Sequence, residues 1–430
     1  MAVLDSAIVN VALPVLAQQL QVDPATAVWA VNAYQLAITV SLLPLASLGD
    51  AVGYQRIYWA GLLVFTVASL GCALAGSFPA LLAARIVQGL GAAGIMSVNI
   101  ALVRFIYPAK LLGRGMGSTA LVVAVSSAAG PSLAAAILSV ASWPWLFLIN
   151  LPLGAFALIV AARTLPETPQ SARRLDGLSV LLNALTFGLL ITGIDALGSG
   201  DLSYPLPALA GAVVVGIVFV RYQLSLPMPL LPLDLLQRPV FALSMLTSVC
   251  SFATQSLAYL ALPFYFHDEL GRSVTETGML MTPWPLAIAV AAPISGRLAD
   301  RFSPGLLGGI GLATLAGGLA LLAMLPNDPS TTDIVWRLTV CGLGFGLFQS
   351  PNNKAIITSA PPERSGGASG MQSSARLLGQ SLGAALAAVL FGLAPNNATA
   401  IVLWLGAGLS AVGCVTSSLR TLRGGTPRED

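Results

Sequence analysis

The sequence predicts an all-α polytopic membrane protein with about fourteen transmembrane spans, built as two six-helix bundles plus two central inserted helices. Three observations carry this. The chain is 56% hydrophobic and 9% charged, with a mean hydropathy of +0.85, so a soluble body would lack the polar surface to solvate itself. Its apolar residues fall in repeated runs of roughly 20, the length of a membrane helix. An acidic-then-basic signature recurs at two corresponding places along the chain. The alternating short strands of a membrane β-barrel are not seen.

Cutting at Pro, Gly and charge clusters gives spans near 2–20, 29–49, 57–77, 80–103, 115–139, 143–165, 177–197, 206–224, 241–266, 276–298, 305–325, 335–358, 367–393 and 397–419. Loops such as Ser77-Phe78-Pro79 and Ala141-Ser142 are too short to hold an extramembrane domain. Orientation follows from Lys and Arg, which concentrate on the cytoplasmic side. Arg56, Arg104, Lys110, Arg114, Arg163, Arg173, Arg174, Arg221, Arg238, Arg297, Arg301, Arg364, Arg420, Arg423 and Arg428 fall on one side. Arg272 and Arg337 fall on the other, with Asp23, Asp201, Asp268, Asp328 and Asp333. Both termini are therefore expected in the cytoplasm, in a bacterial inner membrane. Asp5 follows Met1 almost at once, which is no signal peptide and suggests a first helix short of its inner turns.

Composition also narrows the chemistry. Cys72, Cys250, Cys341 and Cys414 lie in separate apolar runs without metal-ligand spacing and read as buried small hydrophobes. The single His267 sits by Asp268 and Glu269 in a short loop. No metal site, nucleophile–base set or phosphate-binding loop is visible, and no basic stretch suits nucleic acid. An enzyme or an ATP-driven pump is not expected.

The repeated signature is Leu48-Gly-Asp50-Ala-Val-Gly53-Tyr-Gln-Arg56 after the second span and Gly296-Arg297-Leu-Ala-Asp300-Arg301 after the tenth. If the copies are equivalent, span 9 corresponds to span 1. The chain then divides into 1–165, a two-helix insert at 166–238, and 239–430. Repeated halves about a midplane cavity are a common transporter plan.

Here the sequence resembles the major facilitator superfamily and, within it, the fourteen-span drug:proton antiporters. Asp50, Gly53 and Arg56 match the superfamily's cytoplasmic loop motif, while Ala46, Ala51, Tyr54 and Gln55 depart from it. Gly296, Leu298, Asp300 and Arg301 match the second copy better. Leu4-Asp5-Ser-Ala-Ile-Val-Asn10-Val-Ala-Leu-Pro14 is similar to the first-helix signature, and Arg85, Gln88, Gly89 and Gly91 fall on the fourth-helix motif. Gly130-Pro131 is the core of the fifth-helix antiporter motif, with Ala134 and Ala135 in place of its glycine pair. Trp143-Pro-Trp145-Leu-Phe-Leu-Ile-Asn150-Leu-Pro152-Leu-Gly154 looks like the sixth-span segment.

Arg85 is a permanent cation in an apolar helix, which costs several kcal/mol unless paired or solvated. It is expected to couple proton and substrate, or else to hydrogen-bond carbonyls of the first span. A carboxylate in a dry cavity is drawn toward its neutral form, and a nearby cation draws it back. Asp5 is placed to trade a proton in this way, or else to solvate the end of a short helix. Counted from the outer helix ends at 1.5 Å per residue, Arg85 lies about 8 Å deep and Asp5 about 22 Å. A direct pair is not expected on that count. Water, or Gln88 and Asn10, would have to link them.

Gly130-Pro131 should bend the fifth span, and the resemblance gives that bend a role in gating or in preventing proton leak; a plain kink is the alternative. Asp50 is expected to N-cap the following helix, with Gly53 making the turn and Arg56 anchoring to anionic lipid or the partner half. These residues and their counterparts Asp300 and Arg301 are assigned to conformational switching. Asn10, Tyr34, Gln35, Gln88, Gln255, Tyr259, Trp284, Gln349, Asn352 and Asn353 are candidates for lining a substrate cavity, which would suit flat lipophilic cations; packing is the bland reading of each. Lys354 and Arg376 read as snorkelling cations, and Asp195 as an interface residue.

The expected function is proton-coupled antiport that exports lipophilic, cationic drugs or toxic compounds by alternating access. Its partners would be a small lipophilic substrate, protons and the bilayer, with no cofactor beyond the proton gradient. Nothing in the sequence demands more than one copy. The alternatives are export of one endogenous metabolite and a transporter-like receptor that moves nothing.

Overall fold

A computed structural model describes residues 1–168, 170, 176–196, 203–226, 229–231, 233–326, 328–393 and 398–423. Arg173, Arg174, Asp201 and Arg428 of the charge tally lie outside these residues, as do the side chains of Pro131, Asp195, Asp268 and Arg423. The first group of helices is α1 (Ala2–Gln19), α2 (Pro24–Val52), α3 (Tyr54–Ala73), α4 (Phe78–Ile106), α5 (Leu112–Val140), the short α6 (Trp145–Leu148) and α7 (Asn150–Thr164). The pair α8 (Gly177–Ala196) and α9 (Pro205–Leu224) follows, then the short α10 (Leu233–Leu236). The last group is α11 (Pro239–Phe264), α12 (Val274–Met281), α13 (Pro283–Ala299), α14 (Pro304–Ala323), α15 (Thr331–Ser359), α16 (Ser365–Leu393) and α17 (Ala398–Arg423).

Twelve of these helices are long and apolar enough to cross a membrane, so the expected count of about fourteen is not reached among the described residues. Among the described residues α15 falls short, while α1 includes positions 11 and 14, whose side chains lie outside them. Asp333, Arg337, Gln349, Asn352, Asn353 and Lys354 dilute α15. Two expected spans are also interrupted: 143–165 breaks at Ile149, and 276–298 breaks at Thr282 before Pro283. His267 lies in a wider π-helical turn at Tyr265–Glu269 and not in a loop.

Helix starts follow their local chemistry. Asp23 accepts from the Thr26 amide at 2.8 Å ahead of Pro24, and Ser273 and Glu276 form a reciprocal capping box on α12. Proline also opens α9, α11, α13 and α14, where its missing N–H costs nothing.

Within the first group α3 packs on α4, and α2 on α4; within the last, α14 packs on α15 and α17, and α11 on α16 and α17. Glycine permits the closest of these approaches. A Cβ at Gly61 would sit 2.8 Å from the Gly91 carbonyl oxygen, and one at Gly311 would sit 2.7 Å from the Gly344 oxygen. The two groups meet along α5 against α13 and along α16 against α2 and α4, while α8 leans on α2 and α16.

Candidate functional site

Asp5, in the first turn of α1, is sealed from solvent together with Arg85 of α4; both side chains show 0% exposure. Its Oδ2 accepts from Arg85 Nη1 at 2.6 Å, and its Oδ1 accepts from Gln88 Nε2 at 3.0 Å and from Asn150 Nδ2 at 2.7 Å. The guanidinium also donates through Nε to the Ala30 carbonyl of α2 at 2.8 Å and through Nη1 to Gln88 Oε1 at 2.5 Å. Gln88 passes the network on to Ser69 Oγ of α3 at 2.8 Å. The Tyr34 ring lies under the guanidinium, 4.0 Å from its centroid, while its hydroxyl donates to the Ala2 carbonyl at 3.2 Å.

Five helices thus converge on one ion pair, and the local sequence explains how. Arg85 and Gln88 are three residues apart on one face of α4. Gly89 and Gly91 of the same motif let that helix sit against Tyr34 of α2 and Phe65 of α3, where any Cβ would collide. Asn150 reaches Asp5 because it opens α7 directly after the break at Ile149. Taking two charges out of water costs several kcal/mol per ion, offset only when geometry and further hydrogen bonds are good. Here the carboxylate has three donors and the guanidinium two further acceptors. Its Nη2 has no acceptor among the described residues.

The direct Asp5–Arg85 contact corrects the expectation of separated residues. That count assumed flush outer ends and a full 1.5 Å advance per residue along the membrane normal. A tilted helix advances less, and a 2.6 Å pair shows that both assumptions do not hold together. Asn10 takes no part in the link: it is exposed, five residues along α1 from Asp5. Gln88 and Tyr34, expected to line a cavity, lie against the ion pair.

Gly130 brings α5 onto α1, where a Cβ would strike that of Ala7. The helix continues through position 131 to Val140. At the arginine-rich end the expectation for Asp50 needs correction. It lies inside the last turn of α2, Gly53 (φ 99°) makes the turn, and the helix Asp50 caps is α16, not α3. Its Oδ1 accepts from the Gly366 amide at 3.0 Å and from the Tyr54 hydroxyl at 2.7 Å. Asp300 does the same for α5, accepting from the Gly113 and Arg114 amides at 2.7 and 3.2 Å.

Lys354 does not snorkel free but donates to Asp300 at 3.1 Å and to the Ala299 carbonyl at 2.8 Å. Arg56 and Arg301 are exposed. Arg104 of α4 adds a tie that the sequence did not reveal, donating to the Ile357 and Ala360 carbonyls and to Ser365 Oγ at 2.8–2.9 Å.

Asn352 is buried. It accepts from Arg420 Nη1 at 2.7 Å and donates to Ser248 Oγ at 2.8 Å, in a buried cluster that also holds Ser244 and Ser417. Arg420 was hidden among the other arginines of that end. Trp284 is fully buried with the Tyr259 ring edge-on at 5.3 Å, and Asn353 accepts from Gln372 Nε2 at 3.2 Å. Gln255 and Gln349 are half-buried and Gln35 is exposed.

Known proteins match this architecture from end to end. The chain is 56% identical to the uncharacterized transporter YebQ of Escherichia coli over 98% of its own length and 93% of that protein. It is 32% identical to the multidrug resistance protein Stp of Mycobacterium tuberculosis, over 90% of this chain and 72% of Stp. The human organic anion transporter MFSD10 superposes with a TM-score of 0.70 over 97% of this chain and 96% of that one; at 18% identity this likeness shows the fold alone. With the family model matched across residues 1–384 as well, the chain belongs to the Major Facilitator Superfamily and is a multi-pass membrane transporter.

Proposed function

We propose that the protein is a proton-coupled antiporter that exports lipophilic small molecules across the bacterial inner membrane by alternating access. The observation that carries this is the sealed Asp5–Arg85 pair. Asp5, in the first turn of α1, is a fully buried carboxylate, and its ionised form holds together α1, α2, α3, α4 and α7 through Arg85, Gln88 and Asn150. A proton on Asp5 removes the charge that holds Arg85, so proton occupancy is converted into helix packing. That the relative Stp is a multidrug resistance protein supports export as the direction.

The carboxylate latches at Asp50 and Asp300 sit at the arginine-rich end, which in this reading faces the cytoplasm, and they tie the two helix groups together there. Asp5→Asn tests the reading. In inverted membrane vesicles with an inward proton gradient, adding substrate to the wild type should release protons, and the variant at matched expression should not. Release that persists in Asp5→Asn would remove Asp5 from the coupling.

A further inference from the structure

Most of the intramembrane cations have found acceptors. Arg85 has Asp5, Lys354 has Asp300, Arg104 has two carbonyls and a serine, and Arg420 has the oxygens of Ser244, Ser417 and Asn352. Arg376 of α16 is different. It lies eleven residues from Ser365, about 17 Å into the helix at 1.5 Å per residue, near the middle of a hydrocarbon core about 30 Å thick. Its Nε is sealed from solvent, and no acceptor or counter-ion for it is found among the described residues.

The surrounding turn sits where the two helix groups face each other. Ser373 reaches the Met96 carbonyl of α4 at 3.4 Å, Gln372 reaches Asn353 of α15 at 3.2 Å, and Leu377 packs with Tyr34, Ile38 and Leu42 of α2. An unpaired guanidinium at this depth costs several kcal/mol, and it is retained at low cost only where something else supplies the anion.

The charge balance gives the sign of that partner. With Asp5 ionised, its charge and that of Arg85 cancel, and Arg376 leaves the centre of the molecule singly positive. With Asp5 protonated, the centre is doubly positive. A cation is repelled in both states and an anion is attracted in both.

We propose that Arg376 receives the acidic group of the transported molecule, so that the substrate is a lipophilic organic acid bound as its anion. This names the substrate class of the transport reading above and replaces the cation expected from sequence. A guanidinium suits the task because its donors match a carboxylate in bidentate fashion. Acid and proton then occupy different residues, and conformation, not competition for one carboxylate, keeps them from crossing together.

The test is a binding measurement on the purified full-length protein in lipid nanodiscs, with no proton gradient. The probes are aromatic carboxylates of one to three rings, their methyl esters, and the matching aryl-methylammonium ions. The carboxylates should bind at least about tenfold tighter than esters or ammonium ions, a difference of roughly 1.4 kcal/mol. Arg376→Gln should erase that preference, and Arg376→Lys should keep part of it.

Ammonium ions binding more tightly than carboxylates, no carboxylate binding at all, or an unchanged preference in a monodisperse Arg376→Gln protein would each overturn the proposal. Because Arg376→Lys retains the charge, it reports on the site even if the Gln variant misfolds. Carboxylate binding without proton flux in vesicles would leave the anion site standing and remove proton coupling. Proton flux with ammonium ions alone would do the reverse.

Discussion

At the scale of single residues, the behaviour of the molecule turns on a buried carboxylate and the cation that it holds. Arg85→Gln leaves Asp5 sealed without its cation and should cost about 3–5 kcal/mol. Asp5→Asn leaves the guanidinium in the same position. The double variant removes both charges, so its loss should be smaller than the sum of the singles, an interaction read from thermal unfolding of the purified proteins in detergent. Strict additivity would mean that the pair contributes nothing to stability.

Asp5, Arg85 and Gln88 were legible because charge and amide stand out in an apolar helix. Ser69 was not, since a small hydroxyl in a membrane helix most often bonds its own backbone. Asn150 was in view within the Trp143–Gly154 segment, yet nothing in one dimension says toward which helix it points. Arg420 was read only as part of a charge bias and Lys354 as a snorkelling cation, because whether such a cation is solvated or buried depends on helices far away in sequence.

Among the elements, α4 carries the site because two neighbours come unusually close to it. Gly91 lies against the Phe65 backbone, and a Cβ there has nowhere to go. Gly91→Val should push α3 from α4 and withdraw Ser69 from Gln88, lowering stability by about 1–3 kcal/mol or more and weakening transport with it. Unchanged melting of the variant would show that the approach is looser than drawn.

Most spans were legible to within a few residues, as with 57–77 against Tyr54–Ala73 and 305–325 against Pro304–Ala323. Runs of apolar residues bounded by Gly, Pro and charge leave little choice. The break at Ile149 was not legible: Trp143–Leu165 is apolar but for Asn150 and the Arg163-Thr164 end, and hydropathy does not register a lost helical hydrogen bond. That break is what presents Asn150 to the ion pair.

Over the whole molecule, the same contacts occur twice in the same order. Asp50 with Gly366 answers Asp300 with Gly113, and Gly61 with Gly91 answers Gly311 with Gly344. The repeat was legible at Asp50 and Asp300, but its purpose was not, because an acid that caps a helix of the other half has no signature in its own neighbourhood. Asp50→Asn and Asp300→Asn should each weaken closure of the arginine-rich end, and together more than either alone. A cysteine at Asn353, in a background free of the four native cysteines, should then react faster with an impermeant maleimide applied from that end. Equal rates in all four proteins would show that the carboxylates do not hold the halves.

The crossed pattern has a further consequence. Each half brings one acid and one helix start that needs an acid, so the lock has the self-complementary form of a twofold dimer interface. Joining two such surfaces in one chain lets the copies drift apart in sequence while the fastening stays reciprocal. Arg85 and Asp5 on one side, and Arg420 and Asn352 on the other, show how far the interiors have diverged behind it.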